Sequence, residues 1–374
     1  MSGLYIHIPF CASRCIYCAF YSTVKHGQRS AYIDSLIHEM QLRTDFLPQG
    51  NDATINTIYI GGGTPSQISR TDIDRLFNNI YKVYGCKSSE TTVEVNPDDV
   101  DANLVRCLVN NGVNRVSMGA QTFDDERLCW LHRRHSSKQV YEAVDCLRHG
   151  GIARISVDLM YGFPNQTAEQ WQYDIDEVIK LGVEHVSAYS LMYEEGTPLY
   201  RLLEKHEIKE NDEELSLLMY NMLVEQLRSA GYEHYEVSNF ALPGCRAQHN
   251  SSYWNDTPYI GLGAAAHSYN RSVRQWNVSD IDAYMEAINE GRVPFEQERI
   301  DADTHYDDLV TTALRTSDGL DLTMLSAQHQ DYLLKMAQPY LLAKRMERKG
   351  NRIRICENSF MISDMIMSDL MMVY

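Results

Sequence analysis

The chain has 374 residues, 44% of them hydrophobic, so it can bury a sizeable core, and its length predicts two domains. Its 34 basic residues stand against 51 acidic ones, a formal charge of -17, which repels phosphate backbones and anionic lipid and argues against nucleic acid or a membrane surface as partner. No run of about 18 apolar residues occurs to insert in a bilayer, and Met1 leads almost at once into strand-like sequence, so a leader is not expected and a reducing cytoplasm is the expected location.

LYIHI at 4–8 reads as a strand and YIDSLIHEMQLR at 32–43 as an amphipathic helix. TINTIYI at 54–60 is again a strand, followed by a helical pattern at 71–84. TTVEVN at 91–96 precedes a helix at 102–112, and NRVSMG at 114–119 leads to a helical stretch that ends near Gly150 and Gly151. RISVDLMYG at 154–162, a helix at 167–182 and EHVSAYSL at 184–191 complete the series. Six alternations of strand and helix predict parallel strands joined by right-handed crossovers. That is enough for an open, partial (β/α)6 barrel and too few for a closed eight-fold one.

After about residue 195 the rhythm changes. A helix over 211–231 precedes strand-like YEHYEVSNF at 232–240, an irregular aromatic stretch at 241–270, and a mainly helical remainder with a small hairpin around 352–362. The expectation is an α/β core over 1–230 and a smaller, mainly helical C-terminal domain over 231–374, closely packed because no low-complexity linker separates them.

Nine cysteines is an odd number, and Cys86, Cys107, Cys129, Cys146, Cys245 and Cys356 are scattered, which is not a disulfide framework. The other three, Cys11, Cys15 and Cys18, follow the first strand with the spacing C-x3-C-x2-C. Thiolates are soft ligands, and three on one loop can hold three corners of an iron–sulfur cluster, leaving one iron open to a small molecule. Zinc with a distant fourth ligand is the alternative, although no second C-x2-C pair is present. Polar groups stand at the ends of the later strands: GGGTP from Gly61 to Pro65, Glu94, Gln121, Arg133 just beyond, and Asp158. The C-terminal end of parallel strands is where barrel enzymes build their sites, and each of these residues taken singly reads equally well as a cap or surface group.

The cysteine spacing resembles the signature of the radical S-adenosylmethionine (SAM) superfamily. That resemblance implies a [4Fe-4S] cluster on Cys11, Cys15 and Cys18, with SAM on the fourth iron and reductive cleavage of its sulfonium. YIHIPFC, GGGTPS, VEVNP, GAQTFD, LHRRH and DLMYGFP, then YEVSNFA, HNSSYWNDTPYIGLGAAAHSY and LRTSDGLDL, look like the oxygen-independent coproporphyrinogen III oxidase group over nearly the whole chain. The resemblance implies SAM contacts from Tyr5, Tyr17, Gly62, Gly63, Thr64, Glu94, Gln121, Arg133 and Asp158. Two departures matter. The oxidases resemble C-x3-C-x2-C-x-C, whereas Phe20 stands in the last position here, and their N-terminal extension has no counterpart. Both features match the oxidase-like branch of heme chaperones, which implies heme and heme-accepting apoproteins as partners; a homodimer is left open.

HNSSYW, His249 to Trp254, fits the H-N-x-x-Y-W motif associated with heme in that branch. Imidazole suits heme iron, and Tyr253 and Trp254 can offer flat faces to a porphyrin. A histidine among aromatics also reads as a hydrogen-bonded core residue. His267 and Cys245 are weaker candidates, and Cys245 lacks the C-x-x-C-H context of covalent attachment. The methionine-rich tail reads as core packing.

Overall fold

A computed structural model describes residues 2–48, 54–85 and 88–372; Cys86 lies outside them. The chain runs β1 (Ser2–Ile8), α1 (Arg29–Leu42), β2 (Ile55–Gly62), α2 (Arg70–Tyr84), β3 (Glu90–Val95), α3 (Ala102–Asn110), β4 (Arg115–Gln121), α4 (Asp125–Trp130), α5 (Ser137–His149), β5 (Arg154–Tyr161), α6 (Ala168–Leu181) and β6 (His185–Ser190). Strands β1 to β6 pair in sequence order and all in parallel, as the alternation predicts. Their apolar residues alternate with polar ones. Leu4, Ile6 and Ile8 of β1, Ile58 and Ile60 of β2, and Val116 and Met118 of β4 are buried in the main core. Helices α1, α2, α3 and α5 form a continuous layer, each packed on the next. Between these apolar positions stand Tyr5, Tyr59, Glu94, Ser117 and Asp158, so the other sheet face is a polar interior.

The second half continues with α7 (Pro198–Glu204), α8 (Glu213–Ser229), β7 (Glu233–Glu236), β8 (Asn239–Ala241), α9 (Gln248–Tyr253), β9 (Tyr259–Leu262), β10 (His267–Tyr269), β11 (Val273–Asn277), α10 (Ile281–Asn289), β12 (Phe295–Arg299), α11 (Ala302–Ala313), β13 (Leu320–Asp321), α12 (Ala327–Leu342), β14 (Met346–Lys349), β15 (Arg352–Ile355) and α13 (Ser363–Leu370). Helices predominate here, but β7 to β12 extend the core sheet at both edges. Its order is β12-β11-β10-β9-β1-β2-β3-β4-β5-β6-β8-β7, an open sheet among the described residues. β9 runs parallel to β1, and β8 antiparallel to β6. YEHYEVSNF, read as one strand, is two, because Glu236 accepts from the Ser238 amide and the Asn239 side chain and so folds a tight hairpin. The small C-terminal hairpin is β14 with β15, one strand earlier than expected, and residues 357–362 form a 3-10 turn instead.

Buried polar groups tie the added strands to the core. Glu39 of α1 is fully buried and accepts from the Gly263 amide at 2.8 Å, Asn277 Nδ2 at 2.8 Å and Tyr284 Oη at 2.6 Å, with Arg43 beside it. Arg43 in turn donates to the Gly261 carbonyl and Gln275. No helix among the described residues is long and apolar enough to cross a membrane.

Candidate functional site

The three-cysteine loop leaves the end of β1 and is fixed at three points. The Cys11 amide donates to the Thr23 carbonyl and the Thr23 amide to Pro9, closing the loop's base. Ile16 drops into a small separate core with Leu131, Met160, Phe163, Leu191 and Leu199, which pins the loop's centre. The Ile16 amide also donates to Leu131, and the Leu199 amide to Ile16. Held this way, Cys11, Cys15 and Cys18 are all half-buried, while Phe20 is 73% exposed on the loop's outer flank.

The glycines after β2 sit against this loop. A Cβ on Gly63 would lie 2.7 Å from the Pro9 carbonyl carbon, so only glycine permits the approach. Gly62 has φ +109°, in the left-handed region, and a side chain there would strike the His7 ring at 2.4 Å. The Thr64 hydroxyl points at Cys11 Sγ, 3.6 Å away. From the opposite wall, Arg133 Nη1 lies 3.6 Å from Cys15 Sγ, and Nη2 donates to Asn96 Oδ1 at 2.7 Å and the Gly119 carbonyl at 2.6 Å. Its Nε is shut off from solvent with no protein partner.

Glu94, near the end of β3, accepts from Tyr59 Oη at 2.7 Å and from the Gly62 amide at 2.9 Å. Burial raises its pKa from 4.5 to about 7, against these two hydrogen bonds. Asp158 on β5 accepts from Ser117 Oγ at 3.3 Å on both oxygens, and burial pushes its carboxyl up as well. Tyr5 Oη bonds to His7 Nδ1 at 2.9 Å, and its ring stacks on Tyr59 at 6.1 Å. Tyr17 lies on the cysteine loop, its hydroxyl pushed up chiefly by burial. Gln121 closes β4 at a bulge with φ 71°, which turns the chain toward Arg133. Each of these strands therefore contributes a polar group to the sheet's inner face, and Thr64 and Arg133 reach the cysteine sulfurs.

His249 lies elsewhere. It is 0% exposed on α9, at the opposite, N-terminal end of the strands. Its Nδ1 bonds Thr57 Oγ1 and its Nε2 bonds Tyr253 Oη, each at 2.9 Å, and its ring stacks on Tyr59 at 5.3 Å. The amides of Gln248 and His249 both donate to the Glu90 carboxylate. Burial brings the imidazole pKa down to about 3, so it is neutral, and in this arrangement both ring nitrogens are used. His267 is exposed on β10 beside Trp276, and Cys245 is half-buried.

Three thiols on one loop, a guanidinium with an uncommitted Nε, and a glycine edge that only backbone can occupy fit a thiolate cluster with an amino-acid ligand on its open side. Burial pushes the Cys11 and Cys18 thiols up, so a positive metal centre is the natural source of compensating charge. Among the described residues no three Cys, His, Asp or Glu side chains converge on one point as a single ion requires. Cluster ligands, in contrast, sit on different irons. Residues not singled out from the sequence also shape the mouth: Tyr59, Asn96 and Ser117 hold Glu94, Arg133 and Asp158 in place.

The model of the radical SAM superfamily matches residues 5–178. The heme chaperone HemW of Lactococcus lactis is 37% identical over 288 residues, covering 76% of this chain and 74% of that protein. The HemW of Bacillus subtilis is 36% identical, over 82% and 79%. The chain belongs to the HemW family of the radical SAM superfamily. A HemW from Mycobacterium tuberculosis, 29% identical, aligns with 99% of this chain and 94% of its own length, so membership extends through the C-terminal half. Among solved structures, the coproporphyrinogen III oxidase HemN of Escherichia coli superposes with a TM-score of 0.83 over 98% of this chain and 89% of its own, at 21% identity. That likeness shows the HemN-type fold and nothing of the reaction.

Proposed function

We propose that this protein is a heme chaperone: it binds heme, passes it to acceptor apoproteins, and carries a [4Fe-4S] cluster on Cys11, Cys15 and Cys18 with an exchangeable SAM. The observation that carries the reading is relationship to proteins named heme chaperones, 37% identical over 76% of this chain in the Lactococcus case and 29% identical over 99% of it in the Mycobacterium case. Phe20, where the oxidases resemble a fourth cysteine, supports it. In this reading residues 1–230 form the SAM core, residues 231–374 the heme-handling part, and the protein works in the cytoplasm.

When bound, the cluster supplies one electron to the SAM sulfonium. The chain's own residues do the rest. Gly62 and Gly63 offer backbone to the methionyl group, Arg133 Nε faces its carboxylate, and Glu94 accepts from its amino N–H. Asp158 takes the ribose hydroxyls, Gln121 borders the adenine side, and Tyr5, Tyr17 and Thr64 close the pocket around the sulfurs. For His249 to ligate heme, α9 must leave the barrel floor, breaking the bonds to Thr57 and Tyr253 and freeing two amides from Glu90.

The test is an anaerobic reconstitution. One sample receives hemin; a second receives coproporphyrinogen III, SAM and reductant. Stoichiometric Soret absorbance in the first without protoporphyrinogen in the second is expected. Turnover of coproporphyrinogen would overturn the reading in favour of an oxidase. His249→Ala is expected to weaken hemin binding at unchanged cluster absorbance, and undiminished affinity would remove His249 as the ligand.

A further inference from the structure

Arg115 opens β4 and points into the polar interior, where it is 2% exposed. A guanidinium taken out of water ordinarily brings a carboxylate with it. The Arg115 side chain forms no hydrogen bond or ion pair with any other described residue, and its Nη1 is enclosed without a partner. Thr92, its register neighbour on β3, also encloses an unpartnered hydroxyl, so two donors meet in the same part of the interior.

The barrel places two carboxylates toward the mouth from this cation. Glu94 lies two positions along β3 from Thr92 and pairs in register with Ser117. Ser117 is the residue that donates to both oxygens of Asp158. The acceptors of Glu94 are directed by Tyr59 and Gly62, not by Arg115. A guanidinium bonded to either carboxylate would draw it down the barrel and use up the lone pairs that a ligand needs. Toward the floor the imidazoles are uncharged: His185 is held by Ser156 and Tyr235, and His249 by Thr57 and Tyr253. Glu90 is committed to the α9 amides and Glu236 to the β7–β8 turn.

We infer that Arg115 is a positioning residue: an unpaired, buried cation that supplies the counter-charge for Glu94 and Asp158 from below and leaves their mouth-facing oxygens free for a cationic ligand. The inference rests on the reading that these two carboxylates receive SAM, whose sulfonium is such a cation and whose amino and ribose groups donate to them. Supporting it, the charge of Arg115 acts against the burial that pushes both carboxyls up. It also helps to keep His185 and His249 neutral, so no imidazolium in the floor competes with it for Glu94 and Asp158.

The experiment compares wild type, Arg115→Lys, Arg115→Met and Arg115→Gln in the cluster-reconstituted protein. SAM affinity is measured by equilibrium dialysis between about pH 6 and about pH 9, a range that brackets a raised carboxyl. In wild type, affinity rises through about pH 7, where Glu94 ionises. With Met or Gln the rise moves upward by about one pH unit, so affinity falls about fivefold at neutrality, approaches about tenfold at the acid end of the range and recovers at high pH; Lys stays near wild type. A loss equal at every pH, or an unmoved profile in a variant that keeps its cluster absorbance, would overturn the inference. Thermal melts of the same proteins without SAM provide the independent arm. Raised carboxyls stabilise the fold at low pH and lose that contribution as pH rises through their folded values, and without Arg115 that loss moves to higher pH. If wild type binds no SAM, the proposed SAM site fails, while the melts still decide the role of Arg115.

Discussion

Glu94 receives two hydrogen bonds inside the barrel wall, and the cost of its burial sets a measurable pH dependence. Its folded pKa, about 7, lies above its ordinary value of 4.5. A carboxyl shifted in this direction adds stability at acid pH, and the contribution disappears as pH rises through the folded value. Wild type is therefore expected to lose melting temperature between about pH 5 and about pH 8 on this account, and Glu94→Gln, which has no proton to lose there, to show a shallower slope. Identical slopes in thermal melts would mean that water reaches the carboxylate. Glu94 was legible from the sequence because it closes a strand in a series of polar strand ends. Tyr59 was not: it reads as one more strand-forming aromatic in TINTIYI, and its partner lies 35 residues away on the next strand. Arg115 was equally hidden, since a lone arginine at the start of a strand reads as solvent-exposed.

At the scale of elements, α1 does two jobs. One face packs on the sheet, and Glu39 fastens β9, β11 and α10 through three donors. Glu39→Ala would leave the buried Arg43 charge with no carboxylate, held only by the neutral acceptors of Gly261, Ser268 and Gln275, a change that costs about 3–5 kcal/mol when a buried pair is broken. Urea unfolding of the variant tests this, and a loss below about 1 kcal/mol would show that the site relaxes or hydrates. The helix was readable over 32–43, but its role as a fastener was not, because periodicity does not reveal which acidic residue is covered by a later part of the chain. For the same reason the stretch 241–270 looked irregular. Its strands are only three or four residues long, and Gly261 and Gly263 depress strand propensity where the backbone approaches His267 and Tyr32 closely. The six parallel strands carried their own signal in repeated alternation; the strands added at the edges acquire theirs only from the sheet they join.

The whole molecule is a broad sheet with two ends, and both ends are guarded. At one, β7 is overlaid by residues 315–317: the Ser317 amide donates to the Tyr235 carbonyl and the Val237 amide to Arg315. At the other, β12 has all five residues exposed, and its sequence FEQER sets Glu296, Glu298 and Arg299 along the free edge. Charged outer strands resist pairing with a second chain. The double variant Glu296→Val, Glu298→Val is accordingly expected to aggregate on concentration at near-native melting temperature, as followed by light scattering; unchanged scattering would show that twist or length already protects the edge. The guarded ends bear on traffic as well as on solubility. Under the proposed function, a protein that hands a flat, greasy pigment from one polypeptide to another must touch many partners briefly, and guarded sheet ends let each encounter end.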